Sequence, residues 1–193
     1  MPGQRLMGMA HQPPFSHHPG RFKKCRIQAV PKGDERLGGE GDLVEASKEE
    51  TLGLGPIDQV GYVVHDLEAS LPLYEALFGP FEIMDAPLDG VLFRGKEISC
   101  HLKIAINKSG PVEVELIQVL EGETPHSEHL RRCGEGPHHV RFIVDNLDEK
   151  EAELAHFGYR SVFRKRFGPH LAFAYVETPE SIGPSMIELF ESG

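Results

Sequence analysis

Six side chains of this 193-residue chain could do chemistry together: Gln59, Glu113, Glu115, His139, Arg141 and Glu188. They fall in four short segments rich in β-branched and apolar residues, IDQVGYVV (57–64), VEVELIQV (112–119), HHVRFIV (138–144) and SMIELFES (185–192). Alternate residues of a strand share a face. Val60, Tyr62 and Val64 therefore oppose Gln59 and Gly61, and Val114 and Leu116 oppose Glu113, Glu115 and Ile117. By the same alternation Val140, Phe142 and Val144 oppose His139, Arg141 and Ile143, and Ile187 and Leu189 oppose Met186, Glu188 and Phe190. With the apolar sides packed on helices, the other face collects an amide, an imidazole, a guanidinium and three carboxylates. A polar set on one concave sheet face is the make-up of a binding site. Carboxylates crowded to about 4–6 Å hold one or more protons unless a cation stands among them, and a carboxylate can take a proton from carbon and return it.

The elements that position these residues are written twice. DQVGYVVHDLEAS (58–70) aligns with HHVRFIVDNLDEK (138–150), Phe78-Gly79 with Phe157-Gly158, and VEVELIQV with SMIELFES. LEASLPLYEALFG (67–79) and LDEKEAELAHFG (147–158) carry apolar residues at helical spacing and end on glycine. Pro72 fits the first of these only within its opening turn or two. PFEIMD (80–85), VLFRG (91–95), CHLKIAIN (100–107), YRSVFRKRF and LAFAYVET read as separate short strands, and PHSEHLRRCGEG (125–136) as a short linking helix. The pattern predicts an α+β fold of two paired βαβββ modules, about 57–120 and 137–192, forming a cupped mixed sheet with helices on its outer face.

Composition sets the bounds. Hydrophobic residues make up 39% and charged residues 26%, as in a globular domain. There is no apolar run long enough for a transmembrane helix. A net charge of −10 disfavours nucleic acid and anionic membrane as partners. Cys25, Cys100 and Cys133 are widely spaced, which argues against a disulfide framework or a thiolate zinc site and favours a reducing, cytoplasmic setting. Residues 1–32 hold Arg5, Arg21, Lys23, Lys24, Arg26 and Lys32 and no acidic residue, and the stretch after them turns to Gly, Glu and Asp. With little apolar area to offset chain entropy, residues 1–55 are expected to be a disordered tail and 56–193 the domain. The basic stretch reads as an extended tail or an upstream start ahead of Met7 or Met9, with a targeting role left open.

The motifs IDQVGYVVHDLEASLPLYEALFG, VEVELIQ, GEGPHHVRFIVDNLDEKEAELAHFG and MIELFE resemble the vicinal oxygen chelate superfamily, and GEGPHHVRFIVDNLD is most similar to its methylmalonyl-CoA epimerase and glyoxalase-like branch. The resemblance spans about 57–192. It implies metal ligands on the first and last strand of each module, which here are Gln59 and Glu115, then His139 and Glu188. This set is similar to the eukaryotic-type glyoxalase I site; the epimerases commonly carry His where Gln59 stands, and the extradiol dioxygenases need two His and one carboxylate. A neutral amide oxygen, one imidazole and two carboxylates suit one divalent ion, with zinc, nickel, cobalt, manganese and iron(II) all open. The implied activity is a metal-dependent isomerase, epimerase or lyase on an acyl-CoA or α-keto carbonyl compound, through an enolate, with Glu188 or Glu115 as the base. Arg141 and Glu113 are the candidates for substrate contact, Arg141 either holding an anionic group or neutralising Glu113. Two other readings stay open: a small-molecule binding protein on the same scaffold, and an oxygenase. The assembly, monomer or homodimer, stays open as well. Among lesser candidates, His138 points toward the helices as a packing residue, Glu97 reads as a surface strand residue, and His101 and Lys103 share a strand face that could line the cup.

Overall fold

A computed structural model describes residues 52–179 and 185–193. The expected tail through residue 51 lies outside the described residues. The elements run β1 (Gln59–Val63), α1 (Leu67–Phe78), β2 (Glu82–Phe93), β3 (Lys96–Asn107), β4 (Glu113–Glu121), α2 (Pro125–Arg132), β5 (Gly136–Val144), α3 (Leu147–His156), β6 (Arg160–Gly168), β7 (Leu171–Glu177) and β8 (Met186–Ser192).

Local chemistry starts and stops the helices. Asp66 caps α1, its carboxylate accepting from the Ala69 N–H at 3.1 Å, and Asn146 caps α3 through the Glu149 N–H at 3.2 Å. Thr124 and Ser127 form a reciprocal capping box on α2, which starts on Pro125. Helix α1 ends at Gly79, whose φ of 88° is open to glycine at little cost. Pro72 sits inside α1.

The sheet goes beyond a cup and closes as a barrel, in the order β1-β4-β3-β2-β6-β7-β8-β5. The β1–β4 and β5–β8 pairs are parallel, and the two halves meet where β1 lies antiparallel to β5. Opposite that junction the ring closes through Leu92 against Arg164 and Phe93 against Phe163. The expected strands at 80–85 and 91–95 are one strand, β2, running through APLDG with a bulge between Leu88 and Val91. Pro87 is tolerated because that stretch of β2 pairs with β3 alone, so a missing N–H leaves no ladder bond broken on the other edge. The linking helix is shorter than expected, ending at Arg132.

Two apolar clusters fill the barrel. One is Val91, Phe93, Cys100, Phe163, Phe173 and Tyr175; the other is Val63, Leu102 and Ile117, with Leu130 of α2 packed on it. Outside the sheet, Leu67, Leu71 and Tyr74 of α1 cover Val64, Ala105 and Leu116. Helix α3 covers Ala172, Ala174, Val176 and Leu189. Leu52 and Leu54, placed in the tail by composition, pack on this last cluster, so the ordered domain begins before residue 56. A short apolar pair without periodicity carries no signal until α3 supplies its partner.

Candidate metal centre

Strands β1, β4, β5 and β8 turn Gln59, Glu113 and Glu115, His139 and Arg141, and Glu188 to the inner face, four of them deeply buried. Gln59, Glu115, His139 and Glu188 are 0, 7, 3 and 6% exposed. Nε2 of His139 stands 3.3 Å from Gln59 Oε1, 3.3 Å from Glu115 Oε2 and 3.1 Å from Glu188 Oε2. Three oxygens thus converge on one ring nitrogen, whose single N–H cannot serve all of them. The consequence is visible: Oε2 of Glu115 and Oε2 of Glu188 are buried without a hydrogen bond. A buried, unsatisfied charged oxygen costs more than the roughly 1–3 kcal/mol of a neutral group. A cation would relieve both. Ligand atoms about 2.1 Å from an ion stand about 3.0 Å apart at adjacent octahedral corners and about 3.4 Å apart at tetrahedral ones, so the spacings here are those of a coordination shell. The donors, one nitrogen and three oxygens, fit a divalent ion of intermediate hardness.

Gly61 makes room for this arrangement. It lies opposite His139 in the β1–β5 pairing, and a Cβ there would stand 1.9 Å from Cε1 of the imidazole. Only glycine lets the ring cross the β1 backbone. Tyr175, the neighbour of Glu188 across the β7–β8 pair, packs its ring 5.0 Å from that of His139. Burial, then the charges of Glu188 and Glu115, push its phenol well above the ordinary range, so it stays a neutral donor.

A second layer orients the ligands. Nε2 of Gln59 donates to Glu113 at 3.1 Å, which turns the amide oxygen toward His139. Arg141 donates to the same Glu113 oxygen at 2.6 Å and to Asp58 through both Nε and NH2, the latter at 2.7 Å. Lys108 lies 3.3 Å from Glu113. Burial alone would raise the Glu113 carboxyl, but Arg141 and Lys108 hold it below its ordinary value. Arg141 is thus paired with Glu113, and its guanidinium also lies over the Phe190 ring at 5.0 Å.

At the centre burial works against both charges. It raises the Glu115 carboxyl, with Glu188 adding to the effect and His139 opposing it. Burial would lower His139, yet Glu115 and Glu188 together lift its pKa to about 9. Without an ion the place among the oxygens is held by the proton on His139 Nε2.

The four expected ligands meet, and Arg141 and Glu113 lie one step behind them through Gln59. His138 is buried against His126 of α2, but not on the face that alternation predicts: the β1–β5 register shifts beside Gly61, and Nδ1 of His138 stands 3.1 Å from Nδ1 of its neighbour His139. His101 and Lys103 are not on the inner face, which β3 fills with Cys100, Leu102 and Ile104; they pair outside with Asp85 and Glu68. Glu97 is exposed. Asp58, Gly61, His126 and Tyr175 escaped the sequence reading, because their partners come from distant strands and no local motif marks them.

The family pattern for the glyoxalase/bleomycin resistance protein/dioxygenase superfamily matches residues 58–175. No curated protein matches the chain. Among solved structures, hypothetical protein BH1468 from Bacillus halodurans C-125 is similar at 21% identity with a TM-score of 0.52, covering 72% of this chain and 94% of its own. The methylmalonyl-CoA epimerase from Mycobacterium tuberculosis is similar at 20% identity with a TM-score of 0.50, covering 71% of this chain and 87% of its own. At these identities the likeness is one of fold.

Proposed function

The chain belongs to the glyoxalase/bleomycin resistance protein/dioxygenase superfamily, and on that premise we propose that it is a metal-dependent isomerase, epimerase or lyase that moves a proton at the carbon beside a carbonyl group. One observation carries this reading: two buried carboxylates without hydrogen bonds at the facing oxygens, gathered with an amide oxygen around one imidazole. Gln59, Glu115, His139 and Glu188 would hold a divalent ion, which when bound supplies Lewis acidity at the substrate's carbonyl oxygen.

The chain's own groups do the rest. Glu188 is assigned the base: its buried Oε2 has no hydrogen bond, and Tyr175 is its neighbour across the β7–β8 pair. Met186 and Phe190 flank it on the inner face and keep the site dry. Glu115 is assigned as ligand. Gln59, fixed through Glu113 and Arg141, holds the amide oxygen in place without adding charge. A fold neighbour that is a methylmalonyl-CoA epimerase makes acyl-CoA thioesters the first substrates to try, with α-keto compounds next.

The test is elemental analysis of purified protein together with deuterium wash-in at the acidic carbon of acyl-CoA and α-keto candidates. Stoichiometric metal and metal-dependent wash-in support the proposal. Metal-free protein that binds such compounds unchanged would identify a binding protein instead.

A further inference from the structure

The barrel holds a second group of converging donors that the proposed reaction does not use. His126 of α2 and His138 and His139 of β5 are 1, 2 and 3% exposed. They offer ring nitrogens that all lie within 4.8 Å of one another. The His126 and His138 rings stand 4.6 Å apart, and the edge of Tyr175 closes the group from β7. Both nitrogens of His126 and Nε2 of His138 are buried without a hydrogen bond. Each such atom gives up its hydration with nothing in return, and an aliphatic residue at position 126 would avoid that cost. The capping box of Thr124 and Ser127 fixes the first turn of α2 and with it the place of His126.

We propose that His126, His138 and His139 form a second, all-nitrogen site for a borderline divalent ion such as zinc, nickel or copper(II). Imidazole nitrogens suit these ions, whereas manganese favours the oxygen-rich centre. Nδ1 of His138 and Nδ1 of His139 lie 3.1 Å apart, so between them stands either one proton or one cation. Two nitrogens each about 2.1 Å from an ion take up that spacing directly, and a ring nitrogen of His126 lies within 4.8 Å of both. His129, half-buried with its ring 5.2 Å from that of His138, marks the way in from solvent.

His139 belongs to both sites. A neutral imidazole has one lone pair. An ion at Nε2 leaves the proton on Nδ1, where it bonds to His138. An ion at Nδ1 leaves the proton on Nε2, facing Gln59, Glu115 and Glu188. The two sites therefore exclude one another, and a nitrogen-seeking ion captured by the three histidines takes a ligand from the oxygen-rich centre.

The experiment uses the full chain carrying Glu115→Gln and Glu188→Gln, which removes both charged ligands of the first centre and makes the result independent of the proposed reaction. Zinc binding to this variant, followed by equilibrium dialysis, should show about one ion per chain, with affinity falling at least about tenfold on adding His126→Leu or His126→Gln. Loss of all zinc binding in the double variant, or affinity unchanged by either His126 replacement, would overturn the site and leave His138 as a hydrogen-bond partner of His139 only. Copper(II) bound to the unmodified chain gives a second reading that does not depend on the variants folding. Electron paramagnetic resonance should show coupling to three nitrogens, reduced to two in His126→Gln; a one-nitrogen, oxygen-rich spectrum contradicts the proposal.

Discussion

At the scale of single residues, the proposed metal centre sets a proton and a cation in competition for the same lone pair. His139, with a pKa lifted to about 9 against an ordinary 6.5, carries a proton that an ion must expel. Metal binding should therefore release protons, and apparent affinity should climb by up to about tenfold per pH unit and level off above pH 9; calorimetric titration in buffers of different ionisation enthalpy checks this. The sign for folding runs the other way. A group whose pKa is raised in the folded chain stabilises it fully below its unfolded value, so the chelated protein should lose stability as pH rises from 6.5 through about 9. A thermal midpoint that stays level over that window would remove the proton from His139. Among ligands, His139→Ala should strip metal more completely than Gln59→Ala, because imidazole is the stronger donor, and full occupancy in purified His139→Ala would refute the site. Gly61→Ala replaces no proposed ligand, yet its methyl group would stand 1.9 Å from Cε1 and 2.4 Å from Nε2 of His139; it should lose metal and cost about 1–3 kcal/mol of stability, as overpacking does.

At the scale of elements, alternation along β1, β4, β5 and β8 was enough to put six polar residues on one face, because each of those strands buries one side against a helix and the other inside the barrel. Where neither face is covered, the signal fades. Strand β2 exposes residues on both sides, and Pro87 and Gly90 make its middle resemble a loop. Leu52 and Leu54 were likewise illegible until α3 stood beside them. They give a prediction: deleting residues 1–50 should leave the thermal midpoint nearly unchanged, whereas deleting through residue 55 removes the Leu52 and Leu54 packing and the bond from Lys150 Nζ to the Leu52 carbonyl. The loss should be about 1–3 kcal/mol for two half-buried leucines, read as a drop of several degrees by calorimetry. Equal midpoints for the two deletions would place those leucines outside the folded unit.

At the scale of the whole molecule, the β1–β5 junction brings the two halves of the ring together. The proposed ligands come from β1 and β4 on one side and β5 and β8 on the other, and the antiparallel junction sets Gln59 and Gly61 against Arg141 and His139. The barrel seam, Leu92–Arg164 and Phe93–Phe163, lies on the far side, with Phe93, Phe163, Phe173 and Tyr175 between it and the ligands. The strands that carry the four candidate ligands were readable in the sequence, but closure of the ring and the histidines that α2 adds depend on contacts between distant segments that no single segment encodes. The central claim, proton transfer by Glu188 beside a bound metal, is met most directly by one comparison. Deuterium wash-in is measured at the acidic carbon of an acyl-CoA substrate for the unmodified chain, Glu188→Gln and Glu115→Gln, each at equal metal occupancy. Glutamine keeps the shape and an oxygen donor but cannot take the proton, so Glu188→Gln should slow wash-in on the order of 10²–10⁴-fold, with Glu115→Gln losing less. Wash-in at the unmodified rate in both variants would contradict the account.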